Sequence, residues 1–237
     1  MATQLSSTPA AIAQPLFSSS SVAMHGLGEK CFSPDGRAFR YCKAGGTALV
    51  PGKLQQAPAE VTGDQNLAVA AAAIGATTVT TTSTVTVTAN QYAGGWVMVA
   101  ITAGVGYQYK IKSHPAATSA VVTLTLEDPL NVALDTNSRI DLVANPYGGV
   151  VVNPTTATSA PIGAAVYPIA IGEFGWLQVE GPCCILNDGG STVGTNVSAS
   201  NGTAGAVEAA VTAQAACGYA MTGIATTDYG AIFLTIG

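Results

Sequence analysis

Few residues in this sequence are placed to do chemistry, and the clearest pair is acidic. Glu127 and Asp128 are adjacent carboxylates, and glycosidases use two carboxylates whose pKa values are driven apart by their surroundings. Adjacent side chains on a β-strand point to opposite faces, so these two cannot both reach one bond. We therefore interpret them as an acidic turn before Pro129.

A Ser-His-Asp arrangement would need one of the two histidines, His25 or His114. No G-x-S-x-G elbow accompanies either histidine, and the chain contains neither an H-E-x-x-H zinc motif nor a glycine-rich phosphate loop. The sequence therefore predicts a protein that is not an enzyme, with no catalytic residue, no cofactor and no metal site.

Cysteine chemistry is the remaining possibility. The five cysteines are Cys31, Cys42, Cys183, Cys184 and Cys217. An odd number without C-x-x-C spacing argues against both a disulfide framework and a zinc site. If Ser33 pairs with Arg37, Cys31 and Cys42 lie on opposite faces and cannot bond; if Ser33 pairs with Ala38, they share a face. We expect reduced, mostly buried thiols made in a cytoplasm.

The first two cysteines belong to the stretch with the most consistent local pattern, residues 28–57, GEKCFSPDGRAFRYCKAGGTALVPGKLQQA. We predict a β-hairpin here. Its turn is Ser33-Pro34-Asp35-Gly36, in which proline presets φ, aspartate bonds locally and glycine accepts the left-handed conformation.

Charge is concentrated in this hairpin. Four of the eight cations of the chain lie in it, namely Lys30, Arg37, Arg40 and Lys43. They form either a contact for an acidic partner or a set of solvated side chains. Because the whole chain carries only eight cations and a net charge of −5, we do not expect it to bind nucleic acid.

Strand patterns continue through the rest of the chain. Residues 77–89 alternate valine with threonine, and residues 107–112 alternate apolar with polar side chains. Residues 181–204 are dense in turn residues, and residues 206–216 could form one short helix. About ten to fourteen short strands, at roughly 8–12-residue spacing, are typical of sandwiches and barrels. The predicted fold class is all-β, a barrel or sandwich of short antiparallel strands.

Residues 1–27 have the composition of an extended N-terminal arm, with serine clusters, two prolines and isolated apolar residues that include Ile12, Leu16 and Phe17. We expect residues 1–24 to be ordered only against another chain. The arm has no basic start and its apolar residues are interrupted, so we expect neither a signal peptide nor a membrane helix.

Beyond the arm we predict two regions. Residues 28–60 and 146–237 form a β-barrel-like domain, and residues 61–145 form a β-rich middle module. Charged residues make up only 9 % of the chain, against roughly 25 % in an ordinary soluble domain. Such a surface suits a subunit packed against neighbours, where every buried charge needs a partner. The alternative is a thermally robust extracellular β-protein.

After the hairpin quoted above, the chain contains six further characteristic segments. In order they are IGATTVTTTSTVTVTANQYAGGWVMV, YKIKSHPA, LTLEDPL, NPYGGVVV, GEFGWLQVEGP and the closing DYGAIFLTI. This series resembles the head-decoration (cement) and related minor structural proteins of tailed bacteriophages. It covers nearly the whole chain after the arm.

The resemblance implies a β-rich subunit, commonly a homotrimer, made in the host bacterial cytoplasm and seated on the outer capsid surface of the virion. Residues 28–60 and 146–237 would bind the major capsid protein and stabilise contacts between its copies. The capsid-contact candidates are Ile12, Leu16, Phe17, Lys30, Arg37, Arg40 and Lys43. No nucleic acid or membrane is an expected partner.

The middle module departs from the family pattern and is expected to face outward. It leaves open a second function, a receptor- or glycan-binding tail or head fibre. Trp96, Tyr107 and Tyr109 favour that function if their rings are exposed.

Overall fold

The computed structural model of this protein describes residues 13–210, 214 and 216–237. These residues form eighteen strands and one 3-10 turn, Thr62–Asp64, with no α-helix among them. The prediction of an all-β fold is confirmed. The helix expected over residues 206–216 is wrong where the chain is described, because Val207–Ala209 is a strand paired with its neighbour.

In chain order the strands are β1 (Lys30–Phe32), β2 (Ala38–Ala44), β3 (Leu54–Gln56), β4 (Leu67–Ala68), β5 (Thr78–Thr82), β6 (Thr86–Val87), β7 (Trp96–Ile101), β8 (Gln108–Ser113), β9 (Ala117–Thr118), β10 (Val121–Leu126), β11 (Arg139–Val143), β12 (Gly148–Val152), β13 (Pro161–Ala165), β14 (Phe174–Leu186), β15 (Asn196–Ala199), β16 (Val207–Ala209), β17 (Ala216–Ala220) and β18 (Tyr229–Thr235). The chain divides into two compact units. The first joins the chain up to Pro58 to Pro146–Gly237, and the second is Ala59–Asn145.

The first unit is one ten-stranded sheet in the order β1-β2-β12-β3-β13-β14-β18-β17-β15-β16. Strand β2 also pairs with β14, so β2, β12, β3, β13 and β14 close into a five-stranded barrel. Its pairs are antiparallel except β2 with β12. Strand β14 is 13 residues long and continues past the barrel to pair with β18, which extends the sheet through β17, β15 and β16.

Three apolar clusters fill the first unit. The barrel strands and the segments next to them contribute Cys42, Ala44, Leu49, Ala57, Val150, Ile162, Ala165, Ile169 and Leu177. The β14–β18 extension covers Leu54, Ala164, Cys183, Ile185, Val197, Val207, Cys217, Ala220, Ile224, Ile232 and Leu234. A smaller aromatic cluster, Cys31, Phe39, Tyr41 and Trp176, is partly covered by Leu16.

The first hairpin forms as predicted, and its register separates the first two cysteines. Cys31 lies opposite Phe39, and the Ser33 amide donates to the Arg37 carbonyl at 2.9 Å. Ser33 therefore pairs with Arg37, the register in which Cys31 and Cys42 lie on opposite faces. The two thiols accordingly belong to different apolar clusters.

The second unit is a six-stranded sheet in the order β4-β11-β7-β8-β10-β5. A bridge between Val69 and Thr81, with the Ala70 amide donating to the Thr80 carbonyl at 2.9 Å, joins its two edges. The sheet is therefore closed into a barrel, which removes exposed edges. Along β5 the predicted alternation appears as a buried Val79 between the exposed Thr78 and the half-buried Thr80. Within the described residues, no helix is long and apolar enough to cross a membrane.

Candidate interaction surface

The N-terminal segment is anchored by Gln14, whose side chain is buried. The Trp176 indole N–H donates to the Gln14 carbonyl at 3.1 Å, and the Tyr41 hydroxyl donates to Gln14 Oε1 at 2.6 Å. Gln14 Nε2 donates to the carbonyls of Phe174 and Ser18 at 3.0 and 3.1 Å. These bonds satisfy polar groups that would otherwise be buried without partners.

The expectation that residues 1–24 are ordered only against another chain is therefore wrong for the described part of the arm. Ser20 pairs with Phe174 as an isolated bridge, and Leu16 packs on the aromatic cluster. The buried polar atoms of Gln14 and the apolar surface of Leu16 hold the segment on its own unit. Phe17, by contrast, is 55 % exposed. Ile12 lies outside the described residues.

His25 belongs to the same cluster. Its ring lies 5.1 Å from the Tyr41 ring and 5.0 Å from the Trp176 ring, and its Nδ1 lies 3.0 Å from Glu29 Oε1. Sequence reasoning found no partner for this histidine, although Glu29 follows it by four residues. The contacts are those of a packed core histidine that pins the end of the arm.

The four cations of the hairpin each lie over an aromatic ring. Lys30 lies over Phe32, Arg37 over Phe39, Arg40 over Tyr147 and Lys43 over Phe174, with distances of 5.2, 5.5, 5.8 and 5.5 Å to the ring centroids. Cations at this distance are attracted by the negative face of the ring. The rings therefore hold the long side chains flat on the sheet.

These cations do not form one patch. Lys30 is directly opposite Arg40 in the strand register, so both point to one face, whereas Arg37 and Lys43 follow the opposite parity. Arg37 Nε lies 2.8 Å from Asp35 Oδ2, and Lys30 Nζ lies 3.9 Å from Glu180 Oε2. Lys43 is exposed. The four cations are therefore divided between two faces of the hairpin. Two of them, Lys30 and Arg37, lie next to carboxylates.

A larger feature lies on the outward side of β14, β18 and β17, which we call the β14–β18–β17 face. Its members are Pro182, Cys184, Leu186, Tyr229, Ala231, Phe233, Tyr219 and, just after β17, Met221. In register, Pro182 lies opposite Phe233 and Phe233 opposite Tyr219, while Cys184 lies opposite Ala231. The rings of Tyr219 and Phe233 stack with centroids 5.1 Å apart and planes inclined by 6°.

The members of this face are uncharged and exposed or half-exposed, and Arg37 lines the groove beside Pro182, Cys184 and Tyr229. Tyr219, Met221 and Tyr229 are 39, 40 and 51 % exposed. Residues 181–186, 216–220 and 229–235 contain no Asp, Glu, Lys, Arg or His. Sequence reasoning missed the face because residues 181–204 were interpreted as turns; the available signal was the apolar run in residues 231–234.

One groove borders the face, and a second groove meets the first at Pro51. One, of about 410 Å³, is lined by Pro51, Gln178, Cys184 and Tyr229, with Arg37 at its side. The other, of about 480 Å³, is lined by Leu49, Val50, Pro51, Tyr167, Pro168, Ile169 and neighbouring small residues, and no charged residue lines it. The two grooves share Pro51. The exposed apolar surface of the first unit therefore extends from the β14–β18–β17 face, through Pro51, to Val50 and Tyr167.

None of the five cysteines forms a disulfide, and Cys184 is the one that is exposed. Burial raises the pKa of the Cys42 and Cys183 thiols to about 12 and that of Cys31 and Cys217 to about 11. A neutral, buried thiol is a poor nucleophile. The buried cysteines therefore act as small apolar side chains.

In the second unit, the three aromatic residues considered for glycan binding do not converge. Tyr109 is buried, Tyr107 is 47 % exposed, and their rings are stacked 6.4 Å apart. Trp96 lies opposite Lys110 in the register, and therefore on the other face of the sheet from Tyr109. The condition set for that function, exposure of all three rings, is not met.

The second unit also contains a buried polar network that sequence reasoning missed. The hydroxyls of Ser83 and Tyr92 each donate to the Asp64 carboxylate at 2.6 Å. His114 Nε2 accepts the Tyr92 amide at 2.9 Å, and its Nδ1 lies 2.9 Å from the Pro115 carbonyl. Burial and the Asp64 carboxylate raise the pKa of Tyr92. The polar groups of this network therefore have hydrogen-bond partners within it. Ser83 bonds to Asp64 and not to His114, so these three residues do not form the Ser-His-Asp arrangement of a hydrolase.

The remaining acidic candidates are on the surface. Glu127 Oε2 lies 3.4 Å from Lys110 Nζ, with both side chains exposed, and Asp128 is exposed in the bend that follows. Among the residues that the structure describes, no group of three or more His, Cys, Asp or Glu side chains is placed to hold a metal ion. Comparison with protein-family models, curated proteins and solved structures found no match.

Proposed function

We propose that this protein is a structural component of a tailed-bacteriophage virion that binds the outside of the capsid and stabilises contacts between major capsid proteins. The observation that carries the proposal is the exposed apolar surface of the first unit, which consists of the uncharged β14–β18–β17 face and two grooves. Apolar patches larger than a few hundred Å² mark interaction surfaces on soluble proteins. The resemblance in sequence supplies the class of partner.

The physical task of such a subunit needs area and no chemistry. A shell around compressed DNA opens when neighbouring capsid proteins separate, and a subunit that binds across their boundary favours the closed state by RT ln(1 + [L]/Kd) per site. Stable contacts of this kind bury more than about 1,000 Å² in total. A chain with only 9 % charged residues offers such area with few charges to desolvate.

Within the predicted contact set, the exposed members are the best candidates. Phe17 stands 55 % exposed on the arm, and Lys43 is exposed on the hairpin. Leu16 packs on the aromatic cluster of its own unit, so we withdraw it as a capsid contact. In this proposal the first unit faces the capsid, the second unit faces outward, and three copies form the decorating oligomer.

The test uses capsids of the phage that carries this gene, purified without the protein. Added full-length protein should sediment with the capsids to saturation and raise the temperature at which they release DNA. The matched variants are Phe17→Ser, which should weaken binding, and Val105→Ser, an equally exposed apolar change in the second unit that should not. No binding to capsids, together with binding to tail tips, would favour the receptor-binding appendage.

A further inference from the structure

The groove that borders the β14–β18–β17 face contains one exposed thiol and two polar groups placed to recognise a ligand. We propose that this groove binds a small anionic thiol peptide, and that the peptide becomes joined to Cys184 by a disulfide bond. Glutathione is an example of the class, because it carries carboxylates, amide N–H groups and one thiol. The inference concerns the isolated protein and does not rest on the proposed function.

The size and the wall of the groove suit a small molecule. Its volume is about 410 Å³, and ligand pockets span roughly 300–1,000 Å³. The wall includes the apolar residues Pro51, Ala165, Val166 and Pro182. Ligand sites typically have such a wall with a few polar groups that fix the orientation of the ligand. The polar groups of this groove therefore decide which ligand fits.

Gln178 supplies a hydrogen-bond acceptor. It lines the groove and is only 1 % exposed. Its Nε2 donates to the carbonyls of Glu180 and Pro182 at 3.2 and 2.8 Å, which fixes the side-chain amide. Among the residues that the structure describes, no group donates to Gln178 Oε1. An acceptor without a partner in a buried side chain costs free energy, and a ligand that brings an N–H group to Oε1 removes that cost.

Arg37 supplies a positive charge. Its Nε lies 2.8 Å from Asp35 Oδ2, and the terminal nitrogens of the guanidinium have no hydrogen-bond partner in the described part of the chain. The Asp35 side chain is 56 % exposed, so solvent screens its charge. Burial and Cys184 raise the pKa of the Cys183 thiol, whereas the Arg37 charge lowers it, which places the guanidinium close to the cysteines of the groove. A guanidinium binds a carboxylate through paired hydrogen bonds.

Cys184 supplies the point of attachment. It is exposed and lines the groove, whereas Cys183 is buried with a pKa of about 12 and stays a neutral thiol. The Cys184 thiolate attacks one sulfur of a small disulfide, RS–SR. The bond from Cys184 to that sulfur forms as the RS–SR bond breaks, and RS⁻ leaves and takes up a proton. One disulfide is exchanged for another, so the small disulfide is the only oxidant that the step needs.

The first experiment compares three disulfide reagents on the full-length wild type. Oxidised glutathione has carboxylates and amides, dithiodipropionate has carboxylates only, and hydroxyethyl disulfide has neither. Mass spectrometry measures the rate of adduct formation at Cys184, and each rate is divided by the rate of the same reagent with a free cysteine derivative. The normalised rates should fall in the order given, with glutathione at least about tenfold faster than the neutral reagent. Equal normalised rates would overturn the inference.

The second experiment assigns the preference to the groove. Arg37→Gln should remove the preference for the two anionic reagents and leave the rate of the neutral reagent unchanged. Lys112→Gln removes an exposed cation of the second unit that does not line the groove, and should keep the preference. Circular dichroism verifies that each variant is folded. A preference that persists in Arg37→Gln would contradict the role of the guanidinium.

A third measurement needs no variant. Raising the ionic strength should reduce the advantage of the anionic reagents on the wild type, because salt screens a partly exposed charge. An advantage that does not change with salt would contradict recognition by Arg37.

These outcomes are separable from those of the capsid experiment. A selective adduct at Cys184 in a protein that does not bind capsids supports this inference and contradicts the proposed function. Capsid binding together with equal normalised rates does the reverse.

Discussion

The indole N–H of Trp176 donates to the backbone carbonyl of Gln14 at 3.1 Å, across 162 residues of sequence. Through this bond the N-terminal segment becomes part of the wall of the first unit. The Gln14 side chain strengthens this attachment, because it accepts a hydrogen bond from the Tyr41 hydroxyl and donates one to the Phe174 carbonyl. The segment is therefore a structural element of the fold, and its exposed residues are presented from a fixed base.

Replacing Gln14 by alanine should destabilise the protein. The substitution removes the acceptor of the buried Tyr41 hydroxyl and the donor to two carbonyls, and an unsatisfied buried group costs about 1–3 kcal/mol. Equilibrium urea unfolding measures the change. Val22→Ala, on the exposed side of the same segment, is the control and should stay within about 0.5 kcal/mol of the wild type. Equal stability of the two variants would show that the anchor is not formed in solution.

Removing residues 1–24 should lower the unfolding midpoint, because the deletion takes away both Gln14 and Leu16. The Phe17→Ser substitution should weaken capsid binding without destabilising the fold. Phe17 is exposed, so we expect an unchanged thermal midpoint and weaker capsid binding. Thermal unfolding and capsid co-sedimentation of the two proteins provide the measurements. A truncated protein that unfolds at the wild-type temperature would contradict the structural role of the segment.

One thiol of five should react rapidly in the native protein. Cys184 is exposed, and the other four cysteines are buried and form no disulfide. We expect a chromogenic disulfide reagent to titrate about one thiol per chain under native conditions, and the mass to be unchanged by reduction. Denatured protein should give all five. A Cys184→Ser variant should show no rapid phase, and a rapid phase that survives in it would show that a buried cysteine is accessible.

Stability should fall as pH rises above 9. Burial raises the pKa of the Cys42 thiol from 9.0 to about 12, so the folded state keeps its proton where the unfolded chain has lost it. The contribution is complete below pH 9 and is lost progressively between pH 9 and 12, with a slope of up to about 1.4 kcal/mol per pH unit for one thiol. Urea unfolding at pH 8, 9, 10 and 11 measures it. Cys42→Ala should flatten the slope, and an identical slope in that variant would exclude Cys42 as a source.

Local turn chemistry explains what could be predicted from the sequence. The Ser33-Pro34-Asp35-Gly36 turn and the alternation around it define the first hairpin, and the structure selects the register in which Ser33 pairs with Arg37. The closing strand, Tyr229–Thr235, follows equally directly from its continuous apolar run, residues 231–234. Both are features of residues close together in the chain, where pattern and structure have the same cause.

Strand β14 shows why the rest could not be predicted. Gly181-Pro182 has the composition of a turn, yet the strand continues through it to Leu186. Gly181 takes a φ of +91°, and a Cβ there would lie 3.0 Å from Arg37 Cγ, so glycine permits a kink beside the hairpin without ending the strand. Pro182 then pairs with Phe233, 51 residues later. The β14–β18–β17 face depends on this distant pairing, and the Gln14 anchor depends on another.

The measurement that tests the central claim most directly is the copy number and position of this protein in the purified phage particle. Quantitative mass spectrometry gives copies per particle relative to the major capsid protein, and cryo-electron microscopy gives the position. The account predicts hundreds of copies on the outer capsid surface, in contact with the major capsid protein through the first unit. A few copies confined to the tail tip, or none in the particle, would contradict it.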